Sequence, residues 1–348
     1  MNVDTHYGVV VGINEYPAIS NLNHARQDAA DFCDWMVADA GVPARNVTLI
    51  VADELKPGTA REDAEPVAKH VWDALFRNLA EIRGIVDQNP AAWADSRLYF
   101  FFSGHGIAPT ARDASGLAAD AGPDHYGNSF SIKALLEWLL ESQDFGQLVM
   151  IADCCRNKPP SGTRPGPPPW TPRKNHRGEV RLAEFYATIY GDPAREPRPD
   201  VDPDGQRGYF TKAILDGLRG KAPIGPNRSI TTTGLGTYAR QRVIKDTKGK
   251  QVPPADVGAD FVLIDDVQTV VPALRPVRIR FPAGFNGTVE LLDASFQVRA
   301  QSVVAGDDWV LDLEPSLYQV VTLANGAMFA AQGAFPVPPG EGEHVVQL

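Results

Sequence analysis

Two short stretches of this 348-residue chain carry residue types able to do covalent chemistry, Ser103-Gly104-His105-Gly106 and Ala152-Asp153-Cys154-Cys155-Arg156. A thiol attacks a carbonyl carbon well when a neighbouring group accepts its proton and donors stabilise the oxyanion that forms. His105 is the candidate base, and afterwards the acid that protonates a leaving amine. Cys155, with Cys154 beside it, is the candidate nucleophile. Glycine at 106 lets the backbone approach a bound carbonyl closely, so the N–H groups of Gly106 and Cys155 are candidate oxyanion donors.

Both stretches begin where an apolar run stops. Arg97-Leu98-Tyr99-Phe100-Phe101-Phe102 precedes the first and Gln147-Leu148-Val149-Met150-Ile151 the second. Such runs predict strands buried on both faces of a parallel sheet, with the two motifs at strand carboxyl ends, where open α/β sheets place their chemistry.

The rest of the chain must hold these tips in place. Strands are predicted over 7–13 and 46–52, with a helix between them over 24–40 that carries Ala25, Ala29, Phe32, Trp35 and Met36 on one face. A second helical periodicity runs over 67–86. Residues 107–129, rich in Gly, Ala and Asp, read as a loop beside the site, and Ser131 caps a helix running to Ser142. Repeated proline over 158–173 excludes regular structure and predicts an exposed segment over 158–178. Then follow a fifth strand over 181–190, an irregular loop over 191–208, a helix over 210–218, another opened by Thr232 or Thr233, and a sixth strand over 260–265. This alternation predicts an α/β domain over 1–268, a wound, mostly parallel six-stranded sheet with helices on both faces. From 275 to 348 short strands recur without helices, which predicts a small all-β, sandwich-like domain.

Composition narrows the setting. A net charge of -10 counts against binding nucleic acid, whose phosphates are held by Lys and Arg. No apolar run approaches the ~18 residues of a membrane span, and no leader pattern opens the chain, so a cytoplasmic protein is expected. Of three cysteines, Cys154 and Cys155 are adjacent and Cys33 falls on the apolar face of a helix, which suits a reducing compartment.

Taken in order, Tyr-Gly-Val-Val-Val-Gly-Ile-Asn-Glu-Tyr (7–16), Gln27-Asp28-Ala29, Phe102-Ser103-Gly104-His105-Gly106, Asp153-Cys154-Cys155 and Gly208-Tyr209-Phe210-Thr211 resemble the caspase-like clan of cysteine peptidases. The likeness is to its bacterial metacaspase or orthocaspase branch and covers roughly residues 1–266. It implies the caspase-haemoglobinase fold, and His105 stands 50 residues before Cys155, a caspase-like spacing. It also implies that the nucleophile is the cysteine two residues after an aspartate, Cys155, with Cys154 a bystander. Asp153 and Asp28 match the aspartates that line an acidic pocket in such enzymes, so the resemblance implies cleavage of protein substrates after Arg or Lys; a carboxylate pair suits a guanidinium. Arg156-Asn157 departs from the His-Ser-Gly or Arg-Ser-Gly that usually follows the nucleophile. Defence or programmed cell death is the setting that the resemblance implies, with the β-rich tail recruiting a substrate or regulator.

Several other readings compete. Asp200, Asp202 and Asp204 open like a calcium loop, but Thr211 occupies the place of the bidentate Glu and Pro203 stiffens the turn, so no cofactor is expected. Cys154, Cys155 and His105 lack the C-x-x-C spacing of zinc sites. No glycine triad follows the first strand to admit a pyrophosphate. Lys158, Arg164, Arg173 and Lys174 lie in or beside the proline-rich stretch, which reads either as a plain surface loop or as a site of self-cleavage after a basic residue. The alternative to an enzyme is a catalytically silent caspase-like scaffold, which has no chemical use for His105 and Cys155.

Overall fold

The computed structural model describes residues 2–348 apart from 53–54, 112, 160–164, 166–167, 174, 176, 197–206, 226–227, 266–273, 294–296, 307, 314–315, 325–326 and 339–341. The chain divides into two compact units, Met1–Val267 and Gln268–Leu348.

The first unit contains, in order, β1 (His6–Gly12), α1 (Ala25–Asp34), β2 (Val47–Val51), α2 (Ala68–Gln88), β3 (Arg97–Ser103), β4 (Gly106–Ile107), β5 (Ser115–Leu117), β6 (Ser129–Ser131), α3 (Ile132–Ser142), β7 (Gln147–Asp153), β8 (Arg181–Tyr186), α4 (Tyr209–Asp216), β9 (Ile230–Thr231), α5 (Thr232–Asp246) and β10 (Val262–Ile264). Five strands form one sheet in the order β2-β1-β3-β7-β8, each pair parallel. Every residue of β1, β3 and β7 is buried, because alternate side chains serve opposite faces. Val9, Val11, Phe100, Phe102, Leu148 and Met150 pack with α2 and α3; Val10, Tyr99, Phe101, Val149 and Ile151 pack with α1, α4 and α5. The chain turns outward in opposite directions from β1 and β3, and the crevice at that switch point lies beyond their carboxyl ends.

Three expectations change. The sheet has five strands and not six: β10 pairs antiparallel with β9, because residues 257–259 already occupy the free edge of β8, with Glu184 N donating to Val257 O at 2.9 Å and Ala259 N to Leu182 O at 2.8 Å. The stretch after His105 is an antiparallel three-stranded sheet, β4-β5-β6, and its alanines 108, 114, 118, 119 and 121 are buried. The helix cap is Thr231, whose Oγ1 accepts from Gly234 N at 3.2 Å, while the Thr232 hydroxyl donates to Ala259 O at 2.7 Å.

The proline-rich segment is anchored where it is described. The Trp170 ring meets those of Trp72, Phe76 and Trp138 at centroid distances of 6.2, 5.5 and 5.6 Å, and Trp138 Nε1 donates to Trp170 O at 2.8 Å. Trp170→Ala should therefore cost about 2 kcal/mol of half-buried aromatic packing, read as a lower urea midpoint. An unchanged midpoint would show that the anchor contributes nothing.

The second unit pairs two sheets around one core. Strands β11 (Arg275–Arg280), β12 (Asn286–Asp293), β13 (Val298–Ala305), β14 (Trp309–Leu313), β15 (Ser316–Ala324), β16 (Ala327–Val337) and β17 (His344–Gln347) form sheets ordered β14-β11-β17 and β13-β12-β15-β16. Val277, Ile279 and Val346 from the first meet Val289, Leu291 and Val320 from the second. Strand β16 is absent from the sequence reading, since its Ala- and Gly-rich run shows neither period.

Candidate active site

The tips of β3 and β7 are laced together. Gly104 N donates to Asp153 O at 3.3 Å, Ile107 pairs with Asn157 in a parallel bridge, and Ala108 N donates to Asn157 O at 2.8 Å. A Cβ at Gly106 would stand 2.6 Å from Cys154 Sγ and 2.7 Å from Cys155 O, so only glycine lets the two tips approach this closely. Between them opens a cavity of about 220 Å³ lined by His105, Cys155, Asp28, Asp153, Ser103, Gly208 and the segment Ala194-Arg195-Glu196.

His105 and Cys155 face this cavity, each held by a backbone carbonyl. His105 Nε2 is 2.7 Å from Ser20 O. With the proton on Nε2 for that bond, Nδ1 is left as the basic nitrogen. Cys155 Sγ donates to Ala194 O at 3.8 Å. Burial lowers the His105 pKa, against the opposing pull of the Ser20 carbonyl and the Glu196 charge, and burial pushes the Cys155 thiol up. Both shifts favour the neutral forms, thiol and imidazole. Cys154 is fully buried and its thiol is pushed up further still.

The two aspartates converge from different elements. Asp28, in the first turn of α1, accepts from Ser103 Oγ at 3.1 Å and from Gly208 N at 3.1 Å. Asp153 accepts from Thr211 Oγ1 at 2.7 Å and Thr211 N at 3.0 Å. Gly208 sits at their meeting point: a Cβ there would stand 2.7 Å from Asp153 Oδ2 and 3.1 Å from Asp28 Oδ2. Burial raises both carboxyls, Asp28 well above the usual range with the Asp153 charge adding to it, and Asp153 to about 6. A cation entering this cavity would relieve that cost.

Remote residues complete the frame. The start of α1 lacks a cap from its own neighbour His24. Glu196 supplies one, accepting from Asn23 N at 3.1 Å and His24 N at 3.2 Å, while Asn14 Oδ1 accepts from Arg26 N at 2.9 Å. Arg207 pairs with Asp31 on α1. Buried Arg156 donates to Ala111 O at 3.0 Å and Asp113 O at 3.1 Å and lies 4.6 Å over the Tyr186 ring, tying the loop after β4 to the tip of β7.

His105, Cys155, Asp153 and Asp28 thus line one crevice, and Gly106 packs beside it against Cys154 and the Cys155 carbonyl. Lys158 and Arg173 are exposed, the latter 3.4 Å from Asp87; Arg164, Lys174, Asp200, Asp202 and Asp204 lie outside the described residues. Among the described residues no group of three or more His, Cys, Asp or Glu side chains is arranged to hold a metal. Among them, too, no helix is long and apolar enough to cross a membrane. Sequence reading missed Ser103, Gly208 and Thr211 as holders of the aspartates. Gly-Tyr-Phe-Thr was a visible signal without a visible partner.

The family model for the Caspase domain matches residues 5–257. The chain belongs to the caspase-domain family. No curated protein matches the sequence. Solved structures similar to this caspase domain include caspase-1 from Spodoptera frugiperda, with 13% identity, 72% of this chain and 86% of that chain covered and a TM-score of 0.42. The pro form of the same caspase shows 14% identity, 73% and 87% coverage and a TM-score of 0.38. The Arg-specific cysteine proteinase gingipain R shows 13% identity, 99% and 68% coverage and a TM-score of 0.33. At these scores the likenesses add nothing to the family membership, which makes the chain a cysteine-type peptidase.

Proposed function

We propose that this caspase-domain protein is a cytoplasmic cysteine endopeptidase that cuts protein substrates after Arg or Lys through a His105/Cys155 dyad. The observation that carries this reading is the convergence of two buried, otherwise costly carboxylates, Asp28 and Asp153, in the cavity that holds the thiol. A guanidinium or ammonium entering there meets acceptor oxygens in a site shielded from water.

A neutral thiol and imidazole define the order of steps. As Cys155 Sγ attacks the substrate carbonyl carbon, its proton passes to His105 Nδ1, and the new oxyanion accepts from the Gly106 and Cys155 N–H groups. Collapse breaks the C–N bond, the imidazolium gives its proton to the leaving amine, and a thioester remains. Water then attacks that thioester, losing a proton to His105, and the acid product and the thiol are released.

Self-processing in the proline-rich segment belongs to the same proposal. Lys158 lies three residues from Cys155, and Asn157 is fixed by Ile107 and Ala108. The bond after Lys158 therefore cannot stretch across its own thiol, and cutting there requires a second molecule.

A fluorogenic peptide series with Arg, Lys, Asp or Leu before the scissile bond tests the assignment. Turnover confined to Arg and Lys peptides is expected. Cleavage confined to Asp would overturn the pocket, and no turnover with no labelling of Cys155 by a thiol-reactive peptide would leave a scaffold.

A further inference from the structure

His105 and Leu117 stand opposite each other where the β4–β5 ladder meets the tip of β3. Such a pair in an antiparallel ladder exchanges two hydrogen bonds. One is made directly, from Leu117 N to His105 O at 2.9 Å. The other is interrupted by the hydroxyl of Tyr16, which accepts from His105 N at 3.0 Å and donates to Leu117 O at 3.4 Å.

The same tyrosine touches the imidazole itself. Its ring centroid lies 4.8 Å from that of His105 with the planes at 59°. Gly104 admits it: a Cβ there would stand 2.8 Å from the Tyr16 hydroxyl and 2.7 Å from Phe102 Cζ. Tyr16 is buried, its backbone N–H donates to Asn21 Oδ1 at 2.9 Å, and burial raises its phenol so that the hydroxyl keeps its proton. The loop after β1 thus holds His105 at two points, through the Ser20 carbonyl on Nε2 and through Tyr16 on backbone and ring.

We propose that Tyr16 is the positioning residue of the general base: its hydroxyl, relayed between His105 N–H and Leu117 C=O, and its ring set the direction in which the imidazole meets Cys155. This rests on His105 being that base. Removing the hydroxyl keeps the ring and deletes no dyad atom but frees the backbone of His105. Because small misplacements of a catalytic group are expensive, Tyr16→Phe should lower kcat about tenfold with KM nearly unchanged.

The test compares the full-length wild type, Tyr16→Phe, Gly104→Ala and His105→Ala. Iodoacetamide alkylation of Cys155 is followed from pH 5 to 9 by peptide mapping, alongside kcat and KM on an Arg peptide, corrected for folded protein by thermal melts. A lower Cys155 alkylation rate and a displaced pH profile are expected in both Tyr16→Phe and Gly104→Ala, with a melting point near wild type in Tyr16→Phe and a lower one in Gly104→Ala, whose added Cβ must shift Tyr16 or Phe102. A profile and kcat equal to wild type in Tyr16→Phe, while His105→Ala is slow, overturns the role of Tyr16 alone. A His105→Ala rate equal to wild type overturns the base, and with it the role of Tyr16.

Discussion

Cys155→Ala should abolish turnover of Arg and Lys peptides, a loss of about 10⁴-fold or more, while Cys154→Ala keeps kcat within about twofold. The contrast between adjacent cysteines is what gives the result its weight. Cys155 lines the cavity with His105, whereas Cys154 is sealed against Gly106 and its thiol is held strongly protonated by burial. Replacing Cys154 removes one buried sulfur and costs about 1 kcal/mol of packing, visible in a melt but not in the rate. Equal losses in the two variants, measured on titrated folded enzyme, would overturn the assignment.

The second large effect concerns selection. Asp153→Asn should lower kcat/KM for an Arg peptide about 100-fold, because a buried cation then loses one of its charged partners, and Asp28→Asn should act in the same direction. A wild-type preference retained by both variants would remove the aspartates from specificity. Acidity should mimic the substitution. Burial raises the Asp153 carboxyl to about 6, so kcat/KM for the Arg peptide should fall as pH drops through that value, and the fall should be shallower in Asp153→Asn, where Asp28 and His105 still take up protons. Stability moves the other way. A carboxyl whose folded pKa is raised contributes stability that is full below its unfolded value of about 4 and is lost as pH rises through about 6. Asp153→Asn should therefore raise the urea midpoint at pH 7.5, where the wild type carries the buried charge.

Much of this arrangement was legible in the chain. The runs before Ser103 and Asp153 fix two buried strands, their tips are the first places to look for chemistry, and the helical spacing of Val71, Leu75 and Leu79 places α2 on one face. Other parts were not, for a physical reason common to all of them. Tyr16, Ser20, Glu196, Gly208 and Thr211 act through contacts made across long stretches of chain, and no local period or cap records such a partner. Glu196 is the sharpest case: it satisfies the backbone N–H of His24, the cap position of α1, from 172 residues away. Buried alanines disguised β4 to β6 as a loop, because small residues signal close packing only once the neighbour is known.

The acidic pair has one further meaning. Gly208 N, Ser103 and Thr211 satisfy the aspartates as hydrogen-bond acceptors but bring them no positive charge. In folding terms, and among the described residues, the two aspartates lack a directly bonded counter-ion, although Arg195 lines the same cavity. The basic side chain of a substrate would serve as that counter-ion, so the caspase domain would complete its own electrostatics only at the moment it holds the chain it is about to cut.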